Sequence, residues 1–119
     1  MKLSIITINF NDHLGLDKTI QSVINQTFKD FELHIFDNCS QDNTCEIVEE
    51  FARRDSRIIL HKNSINVGLH PNFNKCLTLK DYKYISIMSA NDTILPEYYQ
   101  ECFYNFSGSF YYVILVIRE

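Results

Sequence analysis

The sequence predicts an α/β fold: one open, mostly parallel sheet with helices on both faces. Three observations lead there. Short apolar runs alternate with segments of helical periodicity along nearly the whole chain, the pattern of strand–helix–strand units with right-handed crossovers. The first run, Leu3 to Ile8, is β-branched and largely apolar, as expected of a strand buried on both faces. Two acids, Asp37 and Asp92, stand just past two such runs, where open α/β sheets bind their ligands.

The elements follow in order. After Leu3 to Ile8, the residues Leu16, Ile20, Val23 and Ile24 recur at helical spacing. Phe31 to Phe36 is the second expected strand. Asp42 to Arg54 is a helix with Ile47, Val48, Phe51 and Ala52 on one face. Its other face carries Glu49/Arg53 and Glu50/Arg54 at i,i+4, the favourable order for ion pairs. Arg57 to His61 is the third strand, Asn72 to Leu79 a short helix turning Phe73, Cys76 and Leu77 inward, and Tyr84 to Met88 the fourth strand. Pro96 suits the first turn of a further helix, which faces Tyr99, Cys102 and Phe103 inward. Ser107-Gly108-Ser109 is a turn, and Phe110 to Ile117 reads as a fifth strand with no helix after it, as in a domain cut short. Without a repeat, linker or low-complexity segment, residues 1–119 read as one domain.

Composition narrows the function. The net charge of −4 argues against a nucleic-acid binder, which would show a basic face. The apolar run at the start is too short for a signal peptide. The eight-residue apolar tail, Phe110 to Ile117, is too short to span a bilayer. The four cysteines, Cys39, Cys45, Cys76 and Cys102, form no C-x-x-C pair. They read as reduced thiols of a cytosolic protein, whether free in the cytoplasm or peripheral to a membrane.

Four segments at expected strand ends carry the chemistry. At the end of strand one, the aromatic Phe10 either stacks on a base or covers the core edge. In Phe36-Asp37-Asn38-Cys39-Ser40-Gln41-Asp42, either Ser40 or Asp42 caps the following helix, whereas Asp37 lies too far upstream to do so. Asp37 either accepts a hydrogen bond from a base imide or binds nearby loop amides. In Asn66-Val67-Gly68-Leu69-His70-Pro71-Asn72-Phe73-Asn74, Gly68 permits a close backbone approach, and Asn74 either faces a ligand or belongs to an ordinary loop-to-helix junction. In Ser89-Ala90-Asn91-Asp92-Thr93, Asp92 precedes Pro96 by four residues, so helix capping explains it poorly. Mg²⁺ is commonly held by one or two carboxylates together with substrate phosphates, and a single Asp suffices for that.

Taken together, these segments resemble the amino-terminal, nucleotide-sugar-binding half of the inverting glycosyltransferases of family 2, which have the Rossmann-like GT-A fold. The resemblance runs from about Leu3 to Phe106. It rests on "SIITINFN", on "SVINQTFKDFELHIFDNCSQDNT", and on "NVGLHPNFNKCL" followed by "YISIMSANDTILPEYY". The tail from Gly108 to Glu119 departs from the family pattern. The resemblance implies that Phe10 takes the place of a base-stacking Tyr, that Asp37 contacts the base, and that Asn38 replaces a second acid. Asn74 matches the nucleotide-binding motif's Asn, with Phe73 in place of the frequent Arg. Asp92 falls on the acid that ligates Mg²⁺ or Mn²⁺ beside the diphosphate. Ser89 and Asn91 sit where many members have further acids, which lowers the negative charge around the metal.

The expectation is a nucleotide-sugar donor site. The implied reaction is inverting transfer of the sugar to an acceptor hydroxyl on a saccharide or a lipid-linked molecule, as in polysaccharide biosynthesis. The family's general base lies in a later acceptor half not recognised in this sequence, so the chain reads as the donor-binding part. Two alternatives stand beside it. One is a catalytically incomplete remnant that binds nucleotide or serves structurally. The other is a phosphoacceptor signalling domain, which needs acids clustered after strand one. Here that strand ends in Asn9-Phe10-Asn11, which disfavours it.

Overall fold

The computed structural model describes residues 3–68, 71, 74–75, 84–105 and 112–115. Its elements are β1 (Leu3–Asn9), α1 (His13–Ile24), β2 (Phe31–Asp37), α2 (Thr44–Arg54), β3 (Ile58–Lys62), β4 (Tyr84–Ser89), α3 (Tyr98–Asn105) and β5 (Tyr112–Leu115). The five strands form one sheet in the order β3-β2-β1-β4-β5. Every pairing is parallel. The chain steps outward from β1 to β3, then returns to the other side of β1 for β4. The strand order therefore reverses between β1 and β4, and such a switch point opens a crevice at the carboxyl ends of the strands.

One face of the sheet holds most of the described core. Leu3, Ile5, Leu33, Ile35, Tyr84 and Met88 pack there against Leu16, Ile20 and Val23 of α1, Val48 of α2 and Tyr99 of α3. Phe28 and Phe103 pack against it with their rings stacked 4.6 Å apart. Tyr99 is fully buried, and its hydroxyl lies 2.7 Å from Ser86 Oγ. Burial holds that phenol far above its ordinary pKa. The opposite face centres on Ile6 and Phe36, with Ile8, Ile85 and Ile87 beside them. Pro71, Asn74 and Lys75 are helical. The rest of the helix expected over Asn72 to Leu79, including Phe73, Cys76 and Leu77, lies outside the described residues.

Two details depart from the sequence expectation. The periodic pattern pairs Glu49 with Arg53, but Arg53 turns to Glu50, which also holds Arg54 at 2.6 Å. Glu49 instead meets Lys62 at 2.9 Å. Helical spacing offered Glu49 one partner, and the packing of α2 beside β3 brought a second within reach. The helix expected to open at Asp42 begins at Thr44, with Asn43 at the cap position and making no side-chain cap bond. Asp42 takes over that task from one residue further out, its Oδ1 accepting the Thr44 amide at 3.0 Å.

Candidate functional site

The carboxyl ends of β1, β2 and β4 lie side by side. Asn9 pairs in register with Asp37, and Ile8 with Ser89. Adjacent strands are about 4.8 Å apart, so the loops after these strands share one edge of the sheet. The structure thereby brings Phe10, Asp37 and Asp92 to the same edge. Phe10 is half exposed, with an open aromatic surface beside the strand ends. Asn74 is exposed on its helical segment. The neighbouring Lys75 tethers that segment to the end of β3 through a 2.6 Å bond to Asn63 Oδ1.

Asp37 is buried and hydrogen-bonded within its own loop. Its Oδ1 accepts from Ser40 Oγ at 2.5 Å and from Asn9 Nδ2 at 3.3 Å, and its Oδ2 accepts the Ser40 amide at 3.0 Å. The Cys45 thiol also points at Oδ2, at 3.7 Å. Burial, and then the charge of Asp37, push that thiol above its ordinary pKa, so Cys45 stays a protonated, poorly reactive group. Of the two readings of Asp37, the loop-amide one is built into this geometry. The turn it organises places Cys39 at φ 64°, and in the facing loop between β1 and α1 Asn11 has φ 52°, both in the left-handed region that asparagine tolerates better than most residues. Asn11 Oδ1 accepts the Gln41 amide at 2.7 Å, which locks the two loops together.

Sequence reasoning passed over two asparagines here. Asn9 is buried and sends its Nδ2 to Thr44 Oγ1 at 3.0 Å as well as to Asp37. Asn66 joins Asn38 in an amide clamp: Asn38 Nδ2 donates to Asn66 Oδ1 at 2.7 Å, and Asn38 Oδ1 accepts the Val67 amide at 2.9 Å. The clamp pins the Gly68 loop to the end of β2. Gly68 itself has φ 82°, yet a Cβ there would meet nothing within 4 Å. Its glycine answers to backbone conformation, and the described neighbours do not crowd it. The only signal for the clamp in the sequence was the abundance of Asn in these loops.

Asp92 differs from Asp37. It is buried, and neither carboxylate oxygen has a hydrogen-bond partner among the described residues. Asn9 Oδ1 is likewise buried without a partner among the described residues. Such orphaned acceptors are costly and mark a place where a cation or a donor would be accommodated. The described residues contain no group of three His, Cys, Asp or Glu able to hold a metal by themselves. A lone carboxylate completed by phosphate oxygens and water is the ordinary way of binding Mg²⁺, and Asp92 fits it.

The outer edge of the site carries one strongly perturbed acid. Desolvation works against the charge of Asp42, but hydrogen bonds from the Thr44 hydroxyl, the His13 ring and two backbone amides outweigh it and hold its pKa at about 2. A folded pKa below the ordinary 3.8 stabilises the fold above that value, and the contribution is lost as pH falls through about 2. The acid is partly solvent-exposed, so the contribution is about 1–2 kcal/mol after screening. In urea unfolding, Asp42→Asn should therefore be weaker than the parent near pH 5, and the gap should close towards pH 2.

A family model described as glycosyl transferase family 2 matches residues 4–119. The chain belongs to glycosyl transferase family 2. A relative of this family-2 chain, the uncharacterized glycosyltransferase MJ1057 of Methanocaldococcus jannaschii, is 35% identical over 97 residues, which is 80% of this chain and 33% of that protein. The chain spans about a third of the length of the curated relatives it matches. Among solved structures, S. aureus TarS 1-349 in complex with UDP-GlcNAc superposes with a TM-score of 0.79 at 24% identity, covering 87% of this chain and 30% of that one. The mannosyltransferase PcManGT from Pyrobaculum calidifontis, in complex with GDP-Man and Mn²⁺, gives 0.70 at 17% identity, covering 76% and 28%. These likenesses establish the GT-A fold of the family-2 chain. No helix among its described residues is long and apolar enough to cross a membrane.

Proposed function

We propose that this chain binds the nucleotide-sugar donor of an inverting sugar transfer, with the diphosphate lying at the carboxyl ends of β1 and β4. The observation that carries the reading is the buried carboxylate of Asp92, unpartnered among the described residues, at the switch point of the sheet. In this reading Asp92 holds Mg²⁺ or Mn²⁺, and the exposed ring of Phe10 stacks on the base. Asp37 holds the loop over which the base lies and presents its carboxylate edge to the base imide, while Asn74 lines the nucleotide from the other side. A divalent cation bound there neutralises the diphosphate and makes it a better leaving group. Members of the fold bound to UDP-GlcNAc and to GDP-Man with Mn²⁺ support the class of ligand and leave the base open. The acceptor, saccharide or lipid-linked, and the base that deprotonates it are assigned to no described residue.

The test is calorimetric titration of the chain with UDP, GDP and dTDP, each with and without Mn²⁺. The expected result is binding of one of the three, strengthened by Mn²⁺. A folded sample that binds none of them would sink the proposal. The second reading is that the chain binds nucleotide without transferring sugar. Sugar transfer by this chain alone would exclude it.

A further inference from the structure

The loop that carries Asp92 from β4 to α3 is held at two levels, by α1 and by the turn that follows it. At the first level stands Thr19, fully buried. A threonine inside a helix ordinarily returns its hydroxyl to the carbonyl four residues back, and Gly15 O is indeed 3.1 Å away. Two carbonyls of the loop are nearer: Ala90 O at 2.9 Å and Asp92 O at 2.6 Å. A hydroxyl has one hydrogen to donate, and Asp92 is the nearest acceptor. Gly15, one turn earlier, allows this approach, since a Cβ there would lie 2.9 Å from Asn91 Cβ. At the second level Gln26, also fully buried, donates to Leu95 O at 2.7 Å and accepts the Tyr99 amide at 3.1 Å. Beside it the Thr27 amide donates to Pro96 O at 2.8 Å.

The backbone of Asp92 is thus gripped on both sides. Its amide donates to Ser89 O at 3.1 Å, and its carbonyl accepts from Thr19. Its carboxylate has no such restraint among the described residues, so its aim is set through the main chain. We propose that Thr19 is a positioning residue, which orients the Asp92 carboxylate towards the donor's cation by holding the Asp92 carbonyl. This rests on the reading of Asp92 as the metal ligand.

The experiment compares the parent chain with Thr19→Val, Thr19→Ser and Asp92→Asn, using Mn²⁺ and whichever of UDP, GDP or dTDP binds. Valine keeps the shape of threonine and removes the hydroxyl. The Mn²⁺-dependent gain in nucleotide affinity should fall about tenfold or more in Thr19→Val, as for loss of an outer partner of a metal ligand, and Thr19→Ser should restore most of it. Metal-free nucleotide affinity should stay unchanged, and amide exchange at Asp92 should quicken in Thr19→Val without any ligand present. Retention of the full Mn²⁺ gain in Thr19→Val, with the gain abolished in Asp92→Asn, overturns this inference alone. Equal loss of metal-free and metal-dependent affinity, with no rescue by serine, also overturns it, because that is a general structural effect. A parent chain with no Mn²⁺ gain overturns the Asp92 reading and this inference with it. Should Thr19→Val fail to fold, Thr19→Ala removes the same hydroxyl without a methyl pressed against the carbonyls and is read the same way.

Discussion

Asp92→Asn is expected to abolish the Mn²⁺-dependent part of nucleotide binding while leaving the metal-free chain at least as stable as the parent. Both halves come from one geometry. The carboxylate is buried with neither oxygen hydrogen-bonded among the described residues, and an uncompensated buried charge is among the most costly groups a fold can carry. Asparagine keeps the volume and removes the charge, so stability should rise by about 1 kcal/mol, or about 4 °C in Tm. A neutral amide oxygen is a far weaker ligand for a hard divalent cation than a carboxylate, so the gain from Mn²⁺ should vanish. Thermal unfolding in chelator, with calorimetry on the same samples, measures both. A clear loss of stability would mean that the carboxylate has a structural partner, and retention of the Mn²⁺ gain would remove Asp92 from the metal site.

Asp37→Ala is expected to do the opposite, costing about 3 kcal/mol of stability. Asp37 accepts from Ser40 Oγ, the Ser40 amide and Asn9 Nδ2, and it is itself buried. Hydrogen bonds to a charged acceptor contribute about 1.5–3 kcal/mol each, and alanine leaves those donors facing a void. Part of the loss is recovered as Ser40, only partly buried, turns to water. Asp37→Asn should fall between the two, because its amide keeps one acceptor and turns a donor towards the others. Denaturant midpoints with unchanged m-values check this. A cost under about 1 kcal/mol, the surface-acid range, would contradict the loop-holding role.

Much of the fold was legible because hydrophobic periodicity is local. Leu3 to Ile8 and Phe31 to Phe36 were expected as strands and are β1 and β2, each one residue longer. Leu16, Ile20 and Val23 were expected to face inward and are fully buried. The strand-end placement of Phe10, Asp37 and Asp92 followed from the same pattern. What each of these side chains touches was not legible. The partners of Asp37 depend on the register that sets Asn9 beside it and on the turn at Cys39. The partner of Glu49 is Lys62, thirteen residues on and across a crossover, so an i,i+4 rule proposed Arg53 instead.

The alternation of strands and helices and the positions at which loops leave the sheet are both written in the spacing of apolar residues. That two acids in equivalent places have unlike surroundings emerges only once the chain is folded: Asp37 is hydrogen-bonded within its loop, and Asp92 is buried with no partner among the described residues. Hydrogen-bond satisfaction is a property of approach in space. Asn9 reaches Asp37 from the neighbouring strand, and Thr19 reaches the main chain of Asp92 from a helix 73 positions away. Neither distance is encoded in the order of residues around the acid itself.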